Sequence, residues 1–332
     1  MGSVVRFVPW LGACRLSLKG AGCRFCCMKN FSFVRIIYVS LILDYNFFMK
    51  RLLSVLILLI LTSPCSFAGN MHAGSFFSRD MRAVKSLLNS QVKYANKTDF
   101  DKFISTYDEN YLNSDGFNLE VYSKIVKDIW TTYDNIEYGL KIKNITVKDD
   151  SALAEVEETC FAYIPAPLNM DGILESESDS TYNLKKIDGK WKVVSDTVLR
   201  ERTSVLYGEA KGLNIKLTAP EEIQANTEYT ASLEFVPPQG LIAIASIAND
   251  KVEYPQKQAE EVFRRFPNEN ILERLFVSNK DSVNEYVIAS IGLTKTDVTD
   301  WNIKLRLTGF GYQITRVNVV SQPDGEQNAE TK

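Results

Sequence analysis

Histidine is almost absent: His72 is the only one in 332 residues. Imidazole is the side chain that ordinarily titrates near neutrality and a frequent metal ligand. A histidine triad, an imidazole proton shuttle or a histidine-bound zinc therefore has no candidate in the body of the chain. Cysteine is scarce as well. Cys14, Cys23, Cys26 and Cys27 fall in the first 48 residues, Cys65 follows an apolar run, and Cys160 alone lies beyond it. No intramolecular disulfide can form downstream of residue 68, so that part depends on apolar packing. The spacing Cys23-x-x-Cys26-Cys27 falls short of a zinc site, which needs about four ligands. The apolar run Leu52 to Leu61 is also shorter than the roughly 20 residues of a bilayer span.

That run is nevertheless the most informative stretch present. Met49-Lys50-Arg51 precede it and Thr62-Ser-Pro-Cys-Ser-Phe-Ala68 follow it. A basic tip, an apolar centre and small residues at Ser66 and Ala68 have the layout of a secretory signal peptide over 49–68, cleaved after Ala68. The sequence thus predicts export to a periplasm or the medium, and it makes 1–48 an upstream extension ahead of a true start at Met49. A lipid anchor on Cys65 is the alternative, but Pro64 stands where a lipoprotein signal places a small residue. Removing the first 68 residues takes away eight basic residues and one acid, which moves the formal charge from −3 to −10. Such a surface repels nucleic acid and anionic lipid.

Hydrophobic periodicity predicts a helix over Arg79 to Tyr94, a second capped by Thr98 or Asp99, and a third capped by Asn118. The period then shortens to two. A strand runs from Ile136 to Ile145 with a bulge near Asn144, Asp149-Asp150 turns, and a long strand follows from Ala152 to Ile164. Thr181 to Ile187, Asp188-Gly189 and Lys190 to Leu199 read as a hairpin. Three helices on a curved antiparallel sheet make a cone-like α+β domain over 76–207. Asn96-Lys-Thr-Asp-Phe-Asp-Lys-Phe103, Tyr107-Asp-Glu-Asn-Tyr-Leu112, Asp115-Gly116 and Ile187-Asp-Gly-Lys-Trp-Lys-Val-Val194 together resemble the nuclear transport factor 2-like superfamily. That group includes polyketide-cyclase-like and ketosteroid-isomerase-like proteins. The resemblance implies an apolar pocket between helices and sheet, used for catalysis by some members and for ligand or protein binding by many. It also implies an acid/base pair in the enzymes, and no histidine here matches that role.

Glu158 is the sharpest candidate, because it lies in the row Ala152, Ala154, Val156, Glu158, Cys160, Ala162 and Ile164. Facing an apolar interior it would be a general acid or base with a raised pKa. If a bulge shifts the register, it turns to solvent instead. Asp196 is a second carboxylate, on the last strand of the unit. Tyr107, Tyr111, Trp130 and Tyr133 would wall a pocket, or equally belong to ordinary helix cores. The segment Pro165 to Ser180 reads as a loop at the pocket mouth. Its acids Glu175, Glu177 and Asp179 lack calcium-loop spacing, so no metal and no cofactor is assigned.

Gly208 and Gly212 mark a linker, after which 210–320 carries seven short predicted strands with polar turns. This pattern resembles an immunoglobulin-like β-sandwich, held without a cysteine pair. Gln256 to Phe266 reads as a short helix and 321–332 as a disordered tail. The leading expectation is an exported, non-enzymatic binding or adaptor protein. Its first domain would hold a small apolar molecule or a segment of an envelope protein, and its sheet edge would permit weak self-association. An isomerase, dehydratase or cyclase using Glu158 or Asp196 with a tyrosine is the alternative, and a purely structural envelope protein with a collapsed pocket is the third.

Overall fold

The computed structural model describes residues 73–133, 135–164, 170–257, 259–299 and 302–321. The expectations for 1–48, for the signal peptide with Cys65, for His72 and for the tail beyond Ser321 lie outside the described residues. The described residues from Phe76 onward belong to one compact unit, mostly antiparallel sheet with few helices. Among the described residues no helix is long and apolar enough to cross a membrane.

Three helices come first: α1 (Ala73–Ala95), α2 (Phe100–Ile104) and α3 (Leu119–Thr132). The Asp99 carboxylate accepts from the Lys102 amide at 3.4 Å and caps α2, and Asn118 accepts from the Val121 amide at 3.0 Å and caps α3. Each cap satisfies an amide that has no partner within the first turn. Val84 and Leu88 of α1 and Ile125, Val126 and Ile129 of α3 form the buried stripes.

The strands β1 (Glu137–Lys148), β2 (Ser151–Ile164), β3 (Gly172–Ile187) and β4 (Lys190–Gly208) form an antiparallel meander. β1 bulges between Ile142 and Asn144, at the predicted place. The β3–β4 turn at Asp188-Gly189 has φ of +49° and +75°, the positive pair that a two-residue hairpin requires. Ala152, Ala154 and Val156 of β2 pack with Val84, Leu88 and Val126 in one apolar cluster, which attaches the helices to the sheet.

Several predicted elements take another form. Glu175 to Ser180 are not loop but part of β3, paired residue for residue with β2. Ser176 and Ser180 are buried while Glu175 and Glu177 are exposed, so Ser-Glu-Ser-Asp-Ser is an alternating strand whose inner face happens to be polar. The outward acids pair with cations: Asp179 with Lys143 and, at 2.8 Å, with Arg200, and Glu177 with Arg200 at 2.9 Å. Gln256 to Phe266 is no helix; its only regular piece is the two-residue strand β9 (Arg264–Arg265). Trp301 lies outside the described residues; from Asn302 onward, two of the predicted strands, Trp301 to Leu307 and Gly311 to Val320, fall in one strand, β12 (Asn302–Val320). Its glycines permit close strand approach rather than a break, since a Cβ on Gly311 would lie 2.5 Å from the Leu206 side chain.

The remaining strands are β5 (Lys216–Thr218), β6 (Glu222–Gln224), β7 (Glu228–Glu234), β8 (Leu241–Lys251), β10 (Ile271–Val277) and β11 (Glu285–Thr299). The expected linker is a short 3-10 turn, Glu209–Gly212, past which the sheet continues: β12 pairs with β4, giving the order β1-β2-β3-β4-β12-β11-β8-β9. β5, β7 and β10 form a separate three-stranded sheet. Strand β11 serves two cores through its period of two. Val287, Ala289 and Ile291 meet Tyr229, Leu233 and Phe276 in the cluster with the small sheet, while Tyr286 and Ile288 join Ile125 and Ile129 of α3.

A buried ion pair joins the helical layer to the last strand. Arg316 of β12 holds Asp115, between α2 and α3, through Nη2–Oδ1 at 2.5 Å and Nη1–Oδ2 at 3.1 Å, with 1% and 6% of the two side chains exposed. Asn284 adds a bond to Asp115 Oδ1 at 2.7 Å. Removing one member strands the other charge in the interior. Asp115→Ala is expected to lower the unfolding free energy by about 3–5 kcal/mol, read by urea denaturation; a loss below about 1 kcal/mol, the range of exposed pairs, would show that the pair is not structurally buried in solution.

Candidate functional site

A cavity of about 140 Å³ lies between the helices and the sheet. Its apolar wall includes Leu88, Phe103, Tyr107, Val126, Ile129 and Trp130, contributed by the helical layer. Its polar end is built by strands, with Glu158 from β2, Ser176 and Ser178 from β3, Asp196 and Glu201 from β4, and Arg316 from β12. The division follows from the chain: helix stripes supply carbon, and the inward rows of β2, β3 and β4 supply the acids and hydroxyls.

Glu158 faces this cavity. β2 pairs with β3 without a register shift from Ser151 to Ile164, so the alternative bulge that would turn Glu158 outward does not exist. The Tyr182 hydroxyl donates to Glu158 Oε1 at 2.8 Å, and Ser178 lies at 3.5 Å from Oε2. Burial raises the Glu158 pKa above its ordinary value, opposed by the hydroxyls of Tyr182 and Ser178. Asp196 is also inward, and the Tyr111 hydroxyl donates to its Oδ1. Burial pushes Asp196 up to about 7; the Tyr111 bond opposes this, and the negative charges of Glu158 and Asp115 add to it. Two carboxyl groups thus face one apolar space, one of them poised near neutrality.

The sequence-derived aromatic candidates divide three ways. Tyr107 and Trp130 line the cavity. Tyr111, 1% exposed, stands behind Asp196 and packs edge-on against Tyr107 with centroids 5.1 Å apart. Tyr133 is not a lining residue; it packs with the Ile129 and Ile136 cluster. Trp130 is fixed by donation from Nε1 to the Tyr138 hydroxyl at 3.0 Å, and Tyr107 meets the Tyr122 hydroxyl at 3.1 Å.

Sequence reasoning missed Tyr122, Tyr182, Glu201, Tyr286, Asp115 and Arg316. Tyr182 was detectable, because it faces the same way as Ser178 and Ser180 on a strand next to the Glu158 row. Glu201 is 6% exposed, and its Oε2 accepts from the Tyr286 hydroxyl at 3.0 Å. Burial raises its pKa, with Arg316 and Tyr286 acting in the opposite direction. Nothing in the sequence links β4 to β11 and β12, so no local signal pointed to this end of the site. Cys160 also lines the cavity, and burial pushes its thiol up to about 12, which keeps it protonated and unreactive. Among the described residues no group of three acids, cysteines or histidines could share a metal ion.

No family model matches the chain, and no curated protein matches it. Solved structures similar to part of it include Bd1075 of Bdellovibrio bacteriovorus, at 16% identity over 35% of this chain and 39% of that one, TM-score 0.29. The chain therefore spans well under half of Bd1075. Others are a hexachlorocyclohexane dehydrochlorinase, LinA type 2 (14% identity, 36% and 84%, TM-score 0.30), and an NTF2-like protein of unknown function from Pseudomonas putida KT2440 (13%, 38% and 87%, TM-score 0.27).

Asp196 sets a pH signature. Its ordinary carboxyl pKa of 3.8 rises to about 7 in the folded chain, so the native state binds more protons than the unfolded state between these values. Its contribution to stability is complete below the lower value and is lost as pH rises through the higher one. Asp196→Asn removes the titration and should flatten the decline of unfolding free energy between about pH 4 and pH 7, measured by urea unfolding across that range. An unchanged slope would place Asp196 in water.

Proposed function

We propose that the chain is an exported, non-enzymatic binding protein that holds a small, largely apolar molecule with one hydrogen-bonding end in the cavity between its helices and its sheet. The observation that carries this reading is the cavity's two-part lining: aromatic and aliphatic side chains over most of it, and Glu158, Asp196 and Glu201 at one end. That composition suits a ligand with an apolar body and a polar handle. The volume suits a body of benzene size, for which an engineered cavity of about 150 Å³ is sufficient. Export rests on the signal-like sequence at 49–68, and a periplasmic or extracellular location follows from it. The proposal includes the finer architecture: a cone of the nuclear transport factor 2-like kind over 76–207, and an immunoglobulin-like arrangement of the later strands that contacts an envelope partner.

A second reading is favoured by one specific observation, the pKa of about 7 at Asp196 beside the Tyr111 hydroxyl. A carboxyl group half-ionised at neutral pH can take a proton from one carbon or oxygen of a bound molecule and return it to another, which is isomerase or dehydratase chemistry. The binding reading is preferred because Asp196 and Glu158 each already accept from a tyrosine.

Native mass spectrometry after mild purification tests the binding reading. The expected result is a mass above that of the polypeptide, released as a small molecule on denaturation, together with the mature N-terminus after Ala68. A bare polypeptide mass, combined with no rise in melting temperature in the presence of benzyl alcohol, would reject it.

A further inference from the structure

The charges around the cavity do not balance. Four acids line it, Asp115, Glu158, Asp196 and Glu201, against one arginine and no lysine. Arg316 is paired elsewhere: both terminal nitrogens bond Asp115, and Nε donates to Asn318 at 2.8 Å. The other three acids accept only from hydroxyls, Tyr182 on Glu158, Tyr111 on Asp196 and Tyr286 on Glu201. Glu201 Oε1 is buried and has no hydrogen-bond partner. A buried acceptor left unmade is costly, and a native structure keeps few of them.

We propose that the ligand is a small organic cation, a protonated amine, whose nitrogen donates to Glu201 in the field of the Glu158 and Asp196 carboxyl groups while its apolar body lies against the aromatic wall. This rests on the ligand-binding reading above and names the class of molecule. An ammonium group supplies up to three N–H donors, which gives Glu201 Oε1 its missing partner and brings positive charge to an end that has none to spare. Tyr122, Phe103 and Trp130, all lining residues, offer ring faces that attract a cation. A carboxylate or phosphate ligand would meet three acids and no free cation. A neutral alcohol could donate to Glu201 Oε1 but brings no charge to offset the acids.

Proton linkage follows from the same arrangement. Without ligand, burial shifts Glu158, Asp196 and Glu201 toward the neutral form, with Asp196 up to about 7. The groups facing Asp196 are Tyr111 and Asp115 before α3, Tyr122 of α3, Glu158 of β2, Tyr182 of β3 and Arg316 of β12. A cation at this end favours the ionised acids, so binding releases protons to the buffer and tightens as pH rises toward and past about 7.

Calorimetric titration of the purified chain with three probes of one shape tests the proposal: benzylammonium, benzyl alcohol and benzoate. The expected result is that benzylammonium binds about tenfold or more tightly than benzyl alcohol, a difference appropriate to charge-assisted hydrogen bonds, and that benzoate does not bind. The heat should vary with the ionisation enthalpy of the buffer, showing proton release, and the affinity should rise between about pH 5 and pH 8. Glu201→Gln should lower the ratio of benzylammonium to benzyl alcohol affinity, and Glu158→Gln serves if the first variant melts at a lower temperature. Benzyl alcohol binding as tightly as benzylammonium, or benzylammonium binding without proton release, would overturn the cation and leave the ligand reading intact. Binding by none of the three probes would overturn both.

Discussion

The ion pair between Arg316 and Asp115 is the contact on which the site depends. It crosses 201 residues of sequence and fixes the segment between α2 and α3 to the last strand of the sheet. It also engages the one Lys or Arg that lines the cavity among the described residues. Both effects have one cause: a guanidinium 1% exposed cannot remain without a carboxylate partner. The pair therefore closes one end of the cavity and leaves Glu158, Asp196 and Glu201 there with hydroxyls alone as partners. Burial raises their pKa values, and the Arg316 charge only partly offsets this at Asp196 and Glu201.

The sheet carries the same logic into the architecture. β4 is the junction, hydrogen-bonded to β3 on one edge and to β12 on the other. At its end Gly208 has φ +56°, and a Cβ there would lie 2.3 Å from the Thr308 carbonyl oxygen, so the close approach of β4 and β12 requires glycine at this position. Through this junction the strands after Gly212 contribute Tyr286 and Arg316 to a cavity that the helices cover. The later strands are thus part of the site's wall, and their other face is buried by the small sheet.

Much of this was legible in local sequence. Helix stripes, the caps at Asp99 and Asn118, the bulge near Asn144 and the Asp188-Gly189 turn are encoded within a few residues, and each formed where the pattern placed it. Glu158 stood out because a single acid interrupts an apolar alternation. The register that decides its facing is set by pairing with β3, however, and β3 was obscured because Ser-Glu-Ser-Asp-Ser has the composition of a loop. A strand that supplies the polar part of a cavity lacks the apolar row by which strands are recognised. The Asp115, Glu201, Tyr286 and Arg316 cluster had no local signal, since its members meet only after four separate elements have paired.

The account's central claim is that uncompensated acids face an apolar interior. Infrared spectroscopy of the carboxyl carbonyl stretch tests it most directly, because protonated and ionised groups absorb in separate regions. At about pH 6, where ordinary aspartates and glutamates are ionised, the account predicts a protonated-carboxyl band that weakens in Asp196→Asn and disappears on titration above neutrality. A spectrum with every carboxyl group ionised at that pH would contradict it.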